Sequence, residues 1–313
     1  MMQGGQSSAA LGHCVAANTG ASRGIGAEIA KALAKRGANV VVAAKSSEPH
    51  KTLPGTIHSV VDEVHAIADK EQTGARAFAV QLDVRDPGAV EDAIAQAAGT
   101  FGHLDMVVNN VDAKVKTYDL VNGINARGTW LVSRFALPHL YKSAAAARNP
   151  HILMLSPPMD KGMFTERPGG ALPQSFAETH ALYAMSKFGM SVAAFALAAE
   201  CAPAGIASNT IWPFTLIGTS AMRIVNSEAG AEQHWRKPSV VSDAAVRLLA
   251  EDAKVWTGRF LIDELYLRER HGFDNKMMAA YSLGGPDTPF DELREDLFIS
   301  DEVRQAVGKY YAK

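Results

Sequence analysis

Short apolar runs alternate regularly with longer amphipathic stretches along most of the chain, and this alternation limits the fold more than any other feature. The runs are rich in Val, Ala and Ile, a composition typical of strands that are buried on both faces of a sheet. The runs predicted to be strands are Cys14–Thr19, Asn39–Ala44, Ala77–Leu82, Asp105–Asn109, His151–Leu155, Ala207–Trp212 and Arg259–Asp263.

The stretches between these runs have the apolar spacing of amphipathic helices. The predicted helices are Gly26–Arg36, Thr56–Lys70, Ala89–Thr100, Tyr118–Tyr141, Ala181–Cys201 and Val240–Glu251. Strands that alternate with helices in this way are joined by crossover connections and form a parallel sheet. The sequence therefore predicts an α/β fold, a doubly wound parallel sheet with helices on both faces.

The alternation weakens after Phe273, where Gly284-Gly285-Pro286 and a charged segment follow. We therefore expect one domain over residues 1–274 and a C-terminal extension over residues 275–313 that packs on the surface or binds a partner. With 313 residues and 47% hydrophobic content, the chain can bury a substantial core.

The charges of the chain are nearly balanced, with 31 Lys and Arg against 33 Asp and Glu. Such a chain has no global field to attract nucleic acid, so we expect a small-molecule partner. The two cysteines, Cys14 and Cys201, cannot form a disulfide framework, and the histidines are scattered. We therefore expect no metal site.

Neither end of the chain has a recognised targeting signal. The first Lys or Arg is Arg23, so the N-terminus resembles neither a secretory signal nor an Arg-rich transit peptide. We therefore expect a cytoplasmic protein. The most apolar stretch, Met190–Ile206, contains Glu200 and is shorter than the roughly 20 residues that cross a bilayer. We expect no membrane span.

A glycine-rich loop joins the first predicted strand to the first predicted helix. Its sequence is Thr19-Gly20-Ala21-Ser22-Arg23-Gly24-Ile25-Gly26. Glycines at such a junction let the turn close and let backbone N–H groups at the helix N-terminus approach a pyrophosphate. The Gly-x-x-x-Gly-x-Gly spacing differs from the common Gly-x-Gly-x-x-Gly fingerprint, but the strand before it and the helix after it still predict a dinucleotide site.

Tyr183 and Lys187 lie four residues apart at the start of the helix that follows the fifth strand. This spacing places both on one face of the helix. A tyrosine with an ordinary pKa of about 10 needs help to exchange a proton near neutral pH, and a nearby ammonium favours the phenolate. No other Tyr-x-x-x-Lys occurs in the sequence. The pair is therefore the candidate chemical centre.

The glycine spacing and the position of this pair resemble the short-chain dehydrogenase/reductase family. The resemblance covers roughly Gly12 to Asn275 and is greatest to the hydroxysteroid dehydrogenase-like branch, through Ala-Ala-Lys, Asn-Ala-Arg-Gly-Thr, Ser-Pro-Pro and Trp212-Pro213. It implies a Rossmann-type fold and hydride transfer with a nicotinamide cofactor. Some members of that branch carry a C-terminal sterol-carrier domain, which we do not expect in 313 residues.

The resemblance also implies which residues bind the cofactor. Asp83 matches an acid beside the adenine, and Asn109 matches an asparagine that supports the sheet and approaches the cofactor. The implied cofactor-binding residues are Gly20, Ser22, Arg23, Gly24, Ile25, Gly26, Lys45, Asp83, Asn109, Tyr183, Lys187, Pro213, Ile217 and Thr219. The chain departs from the family at Val111-Asp112, where small residues are usual, and at Phe214, where glycine is frequent.

The second strand ends in Ala44-Lys45, and no carboxylate follows until Glu48. NAD-selective sites usually place an acid there to bind the ribose hydroxyls, whereas a 2′-phosphate needs cations. Lys45 and Arg23 therefore favour NADP(H). The alternative is that both cations are simply solvated.

The resemblance assigns catalytic roles to four residues. Tyr183 would donate or accept the proton, and Lys187 would lower the pKa of Tyr183 and hold the ribose. Asn125 would hold a water molecule of the proton relay. Ser156 would orient the substrate carbonyl, although the family's catalytic serine corresponds to Pro157, so Ser156 is offset by one residue or has a structural role.

Two segments near the site differ in length from the family. The sequence separation between Ser156 and Tyr183 is about twice that usual in the family. This predicts an irregular loop beside the substrate mouth, either a lid or a passive surface loop. This insertion contains Gly162, Met163, Phe164, Pro168, Gly169, Gly170 and Pro173.

The stretch from Asn110 to Asn125 is about ten residues shorter than in relatives. Either the wall of the site is shortened, or residues are missing directly after Asn110. The abrupt discontinuity there favours missing residues.

The leading prediction is an NADP(H)-dependent oxidoreductase that acts on a carbonyl or alcohol of an apolar or lipid-like substrate. Enoyl reduction is an alternative, as is a cofactor-binding or scaffolding homologue with little turnover. Relatives often pair through the helices after the fourth and fifth strands, so a homodimer or homotetramer is expected. The apolar face Val192–Ala199 could mediate such pairing or belong to the core.

Overall fold

A computed structural model describes residues 11–50, 53–113, 117–159 and 174–312, with only the backbone of residues 174–179. Its centre is a seven-stranded parallel sheet in the order β3-β2-β1-β4-β5-β6-β7. The strands are β1 Val15–Thr19, β2 Asn39–Ala44, β3 Ala77–Gln81, β4 Met106–Asn109, β5 His151–Leu155, β6 Ala207–Trp212 and β7 Phe260–Ile262. The predicted fold class is confirmed.

Helices cover both faces of this sheet. They are α1 Gly24–Lys35, α2 Ile57–Glu71, α3 Pro87–Phe101, α4 Tyr118–Asn122, α5 Thr129–Ala145, α6 Gln174–Cys201, α7 Ser220–Val225, α8 Ser239–Leu248, α9 Asp263–His271, α10 Asn275–Ala279 and α11 Asp301–Tyr311. Successive strand residues point to opposite faces of a sheet. On β2, Val40 and Val42 accordingly join a core with α1, α2 and α8, whereas Val41 and Ala43 join a core with α3, α5 and α6.

Two predicted helices differ in detail. The single helix predicted over Tyr118–Tyr141 is interrupted by a π-helical turn, Gly123–Gly128, between α4 and α5. The helix predicted to begin at Ala181 begins at Gln174 and is kinked at His180, whose φ of −125° is not helical. The insertion predicted between Ser156 and Tyr183 lies largely in residues 160–173, outside the described residues.

Residues 290–311 pack against the carboxyl end of the sheet. Phe298 is fully buried and contacts the rings of Phe188 and Trp212 at centroid distances of 5.2 and 5.5 Å. On α11, the Tyr311 hydroxyl donates to Glu264 Oε1 at 2.8 Å and accepts from Arg236 Nη2 at 2.9 Å. The C-terminal extension is therefore integrated into the fold through both apolar and polar contacts.

One helical segment of the described residues, His180–Ala204, is long and apolar enough to cross a membrane. Half of its most apolar window is buried inside the fold. Core helices of globular proteins share this composition, so the segment is only weak evidence for a membrane span.

Candidate active site

The glycine-rich loop lies at the carboxyl end of β1, where the strand order reverses between β1 and β4. Ligands of open α/β sheets bind at such switch points. Gly20 and Gly24 have positive φ angles of 68° and 58°. A Cβ on Gly26 would lie 2.4 Å from Asn110 Nδ2 and 2.5 Å from the Gly20 carbonyl oxygen. The loop therefore needs glycine both for its backbone conformation and for its packing.

Helix α1 begins directly at this loop. Its N-cap residue, Arg23, makes no side-chain capping hydrogen bond. The first backbone N–H groups of a helix have no partner within the helix, so an uncapped N-terminus suits an anionic ligand. The loop itself is fixed, because Asn110 Nδ2 donates to the Gly20 carbonyl at 3.1 Å and Asn18 Nδ2 to the Gly26 carbonyl at 2.8 Å.

One cavity lies on the β2–β3 side of the loop. Lys45 and Asp83 are joined there by an ion pair of 3.1 Å. Hydrogen bonds from Arg85 hold the pKa of Asp83 well below its usual range, and Lys45 adds to this effect. The cavity is lined by Gly20, Ala43, Ala44, Lys45, Leu82, Asp83, Val84, Val111 and Ile124.

Arg23 and Ser22 do not line this cavity. The Arg23 guanidinium donates to the carbonyls of Pro54 at 3.2 Å and Gly55 at 2.8 Å. Ser22 is buried. Its carbonyl oxygen packs against Gly55, where an added Cβ would lie 2.5 Å from that oxygen. Both residues therefore join the glycine-rich loop to the segment before α2.

A second cavity lies on the β5–β6 side of the loop and contains the predicted chemical centre. Tyr183 and Lys187 both line it, on α6, beside apolar side chains from β6 and from the C-terminal extension. Its lining residues are Ile25, Asn110, Asp112, Leu155, Tyr183, Lys187, Trp212, Pro213, Ile217, Thr219, Ala221, Met222, Asp296 and Leu297. The structure thus brings Tyr183 and Lys187 together with the predicted cofactor residues Ile25, Pro213, Ile217 and Thr219.

Lys187 is almost fully buried, with 3% of its side chain exposed. Its Nζ donates to the Leu155 carbonyl at 3.1 Å and lies 5.8 Å from the Tyr183 ring centroid. A buried ammonium needs an anionic or hydrogen-bonding partner to offset lost hydration. Asp112 supplies the anion, because its Oδ1 is 3.3 Å from Nζ.

Asp112 also contacts the tyrosine. The Tyr183 hydroxyl donates to Asp112 Oδ2 at 3.4 Å. The chain runs without interruption from Asn109 through Asn110, Val111 and Asp112, so the favoured prediction of missing residues is wrong. The alternative, a shortened wall, describes the molecule.

The expected effect of Lys187 on Tyr183 also needs correction. The pKa of Tyr183 is raised well above 10, first by burial and then by the negative charges of Asp112 and Asp296. Lys187 is not among the groups that shift this pKa, and its ammonium is paired with Asp112. The phenol is therefore held in its protonated form.

Asn125 lies on the π-helical turn and is fully buried. Its Oδ1 accepts from the Ala113 N–H at 3.0 Å, and its Nδ2 donates to Ser186 Oγ at 2.9 Å and more weakly to Asp112 Oδ1 at 3.4 Å. Asn125, the asparagine predicted to take part in the proton relay, thus holds in place the short loop after β4 that carries Asp112. Its protein partners occupy the amide that was expected to hold a water molecule.

Ser156, for which a catalytic role is predicted, is not among the residues that line this cavity. Its side chain is fully buried, and its hydroxyl has no hydrogen-bond partner among the described residues. The preceding residue, Leu155, lines the cavity instead. The role of Ser156 in orienting a substrate carbonyl therefore stays a prediction.

Asn109 has a structural role. It is buried, and its Nδ2 donates to Ser133 Oγ on α5 at 3.1 Å. Thr219 lies close to the glycine-rich loop, because a Cβ on Gly24 would come within 3.3 Å of its methyl group. Asn109 thus supports the sheet, as the family resemblance implies. Thr219 contacts the glycine-rich loop at Gly24.

Sequence reasoning missed the wall that the C-terminal extension builds. Asp296 and Leu297 line the cavity, and Trp212 Nε1 donates to the Leu297 carbonyl at 2.7 Å. Phe298 has a φ of 66°, a conformation that is strained for a bulky residue and occurs at functional sites. Its ring lies 6.3 Å from that of Tyr183.

The two cavities fit a nicotinamide dinucleotide. They lie on opposite sides of the glycine-rich loop and its uncapped helix N-terminus, where a pyrophosphate would bind. Lys45, Asp83 and Val84 would hold the adenosine end. Tyr183, Lys187, Ile217 and Thr219 would hold the nicotinamide end. Among the residues that the structure describes, no cluster of three or more His, Cys, Asp or Glu could hold a metal ion.

Comparison with known proteins agrees with this geometry. The model of the short chain dehydrogenase family matches residues 14–148. The chain belongs to the short-chain dehydrogenase family, and its membership supports an oxidoreductase.

Within the family, the chain is similar to hydroxysteroid dehydrogenase-like protein 2 of Xenopus laevis, with 37% identity over 96% of this chain and 69% of the relative. The crystal structure of a putative dehydrogenase from Xanthomonas campestris matches with a TM-score of 0.77 and 34% identity, covering 94% of this chain and all of that one. A 3-ketoacyl-(acyl-carrier-protein) reductase from Brucella melitensis, complexed with NADH, matches with a TM-score of 0.61 and 26% identity over 80% of this chain and 97% of that one.

Proposed function

We propose that the protein is an NADP(H)-dependent reductase of carbonyl groups on apolar or lipid-like substrates, with Tyr183 as the proton donor. The observation that carries this proposal is the position of Tyr183. Tyr183 lines a cavity to which the glycine-rich loop and the C-terminal extension also contribute, and Lys187 Nζ lies 5.8 Å from its ring centroid.

The chemistry divides between cofactor and protein. A bound nicotinamide cofactor supplies the hydride. Tyr183 gives its hydroxyl proton to the carbonyl oxygen and regains one from water, with general acid catalysis typically contributing about 10²- to 10⁴-fold in rate. The positive charge of Lys187 stabilises the phenolate that forms. Ile217 and Thr219 line the nicotinamide end of the site.

The preference for NADP(H) rests on the end of β2. No carboxylate follows Ala44 there, and Lys45 lies in the adenosine-side cavity with 71% of its side chain exposed. A 2′-phosphate can compete for this exposed ammonium, which Asp83 holds in place. Arg23 is less available, because the Pro54 and Gly55 carbonyls already bind its guanidinium.

The preference for apolar substrates rests on the lining of the catalytic cavity. Trp212, Leu297 and Met222 contribute apolar surface around the polar pair of Tyr183 and Asp112. Small-molecule sites commonly combine such a lining with a few placed polar groups. The hydroxysteroid name of the relatives agrees with a substrate of this class.

A cofactor-binding homologue with little turnover is the second candidate. The full burial of Ser156, which is not among the residues that line the cavity, favours it. Steady-state oxidation of NADPH and of NADH with a panel of apolar ketones, aldehydes and enones separates the candidates. We expect turnover of carbonyls with NADPH ahead of NADH. Tight NADPH binding without turnover of any panel member would refute the reductase, and turnover of enones alone would identify an enoyl reductase.

We also propose self-association through α5 and α6. The face Val192–Ala199 divides in the structure, with Ala193, Ala194, Leu197 and Ala198 in the core and Val192 and Phe195 exposed. Trp130 on α5 and Met185 on α6 are also exposed. Exposed apolar side chains on two helices are typical of a surface that binds another protein chain. Sedimentation of the wild type and of Phe195→Asp tests it, with a smaller species expected for the variant and an unchanged one contradicting the proposal.

A further inference from the structure

Asp112 connects three polar residues of the candidate active site. Its Oδ1 lies 3.3 Å from Lys187 Nζ and 3.4 Å from Asn125 Nδ2, and its Oδ2 lies 3.4 Å from the Tyr183 hydroxyl. About a third of its side chain is exposed, whereas Tyr183, Lys187 and Asn125 are buried. The carboxylate is therefore the outermost member of the polar group around Tyr183.

The short loop after β4 fixes this position. Asn110 Nδ2 binds the Gly20 carbonyl on one side of Asp112, and the Ala113 N–H binds Asn125 Oδ1 on the other. These two contacts hold the backbone before and after the aspartate. The position of the carboxylate is thus set by the backbone as well as by its own ion pair.

Charged groups face Tyr183 from three elements. Asp112 faces it from the loop after β4, Asp296 from the C-terminal extension, and Lys187 from α6 itself. Burial and the two carboxylates all oppose ionisation of the phenol. Of the two acids, Asp112 is the one that also accepts the hydroxyl proton in a hydrogen bond.

We propose that Asp112 is a positioning residue that holds Tyr183 as a proton donor, by joining its hydroxyl to the Lys187 ammonium through one carboxylate. The proposal rests on the reductase function proposed above. During reduction, a bound reduced nicotinamide would supply the hydride that forms the new C–H bond at the carbonyl carbon as the C=O π bond breaks. The Tyr183 O–H bond breaks as its proton forms the O–H bond of the product alcohol, and one proton from water restores the phenol. Asp112 therefore disfavours the phenolate form of Tyr183. The reverse oxidation requires that form, so Asp112 shifts alcohol oxidation to higher pH.

Two variants test the proposal, with Asp119→Asn as the matched control. Asp112→Asn keeps the shape and removes the charge, Asp112→Ser removes the carboxylate, and Asp119 is an exposed acid on α4. The first measurement follows the ¹³Cζ resonance of Tyr183 by NMR against pH, assigned with Tyr183→Phe. It needs neither substrate nor turnover.

We expect the ionised fraction of Tyr183 at a common alkaline pH to rise about tenfold or more in both Asp112 variants, because a like charge at this distance shifts a pKa by one unit or more. The second measurement is the pH profile of alcohol oxidation with NADP⁺. Its rising limb should move down by about one to two pH units, while Asp119→Asn leaves it in place.

The outcomes separate the two proposals. A purely structural role for Asp112 would lower the rate without moving the limb or the NMR titration, and that result would overturn the positioning role even in an active enzyme. If the wild type shows no turnover while the NMR titration shifts as expected, the reductase function fails and the hold of Asp112 on Tyr183 stands.

Discussion

The carboxylate of Asp112 and the ammonium of Lys187 form an ion pair of 3.3 Å across the candidate active site. Lys187 is almost fully buried, so the pair offsets much of the free energy that the ammonium loses on leaving water. The same carboxylate accepts a hydrogen bond from Tyr183. One residue of a shortened loop thus sets the electrostatic environment of both members of the Tyr-x-x-x-Lys pair.

The glycine-rich loop should not tolerate a side chain at Gly26. Gly26→Ala would place a Cβ 2.4 Å from Asn110 Nδ2 and 2.5 Å from the Gly20 carbonyl, so the loop must shift. We expect a loss of about 1–3 kcal/mol in the free energy of unfolding, together with weaker NADPH binding. Chemical denaturation and fluorescence titration measure the two effects.

Gly99→Ala is the matched control, because a Cβ on this glycine of α3 meets nothing within 4 Å. An alanine inside a helix should be neutral or stabilise by about 0.5–1 kcal/mol. Equal stability and NADPH affinity in the two variants would contradict the packing described for Gly26.

Lys45 should determine the preference for NADPH over NADH. Lys45→Ala removes the ammonium expected to bind the 2′-phosphate, and a hydrogen bond to a charged group contributes about 1.5–3 kcal/mol, so NADPH affinity should fall about tenfold or more. NADH affinity should change little. Calorimetric titration with both cofactors measures this, and Lys35→Ala, at the exposed end of α1, controls for charge. A parallel fall in both affinities would argue against a 2′-phosphate contact.

Tyr311 should anchor the C-terminal extension. Its hydroxyl donates to Glu264 and accepts from Arg236, and both partners are almost fully buried. Tyr311→Phe should lower the free energy of unfolding by about 1–3 kcal/mol, because two buried charged groups lose a partner. Tyr310→Phe keeps a ring beside Arg268 and should be nearly neutral. Similar losses in the two variants would show that packing, not the hydroxyl, anchors the helix.

Acid should destabilise the protein through His151. Burial lowers the pKa of this histidine from 6.5 to about 4, so the folded state binds its proton less readily than the unfolded state. Its contribution is fully present above pH 6.5 and is lost as pH falls toward 4. The loss is about 3 kcal/mol, because each pH unit corresponds to about 1.4 kcal/mol.

Denaturation at several pH values tests this, with His151→Gln expected to have a flatter dependence between these limits. His58→Gln, on the exposed side of α2, is the control and should retain the wild-type slope. If His151→Gln has the same pH dependence as the wild type, another group causes the acid sensitivity.

The sheet could be predicted closely from the sequence because each strand is specified locally. The predicted run Asn39–Ala44 coincides with β2, and the run Ala77–Leu82 exceeds β3 by one residue. Buried parallel strands are continuous apolar segments between helices, so their limits are visible without knowledge of the fold. The glycine spacing at residues 20–26 was equally informative, because it follows from local backbone geometry.

The chemistry around Tyr183 could not be predicted in the same way. Asp112 is 71 residues from Tyr183, and the sequence indicates only that it departs from the family motif, not that it is a partner for Lys187. Leu297 lines the cavity from a segment where the β-α alternation has ended. These features depend on tertiary contacts that no local pattern encodes.

The rate of NADPH oxidation by Tyr183→Phe, with the best carbonyl substrate of the panel, tests the central claim most directly. This variant removes the proton and keeps the buried ring. We expect a fall of about 10²- to 10⁴-fold in kcat with a much smaller change in NADPH affinity. Tyr118→Phe, at an exposed position on α4, should keep the wild-type rate. A Tyr183→Phe enzyme that reduces the carbonyl at the wild-type rate would contradict the account.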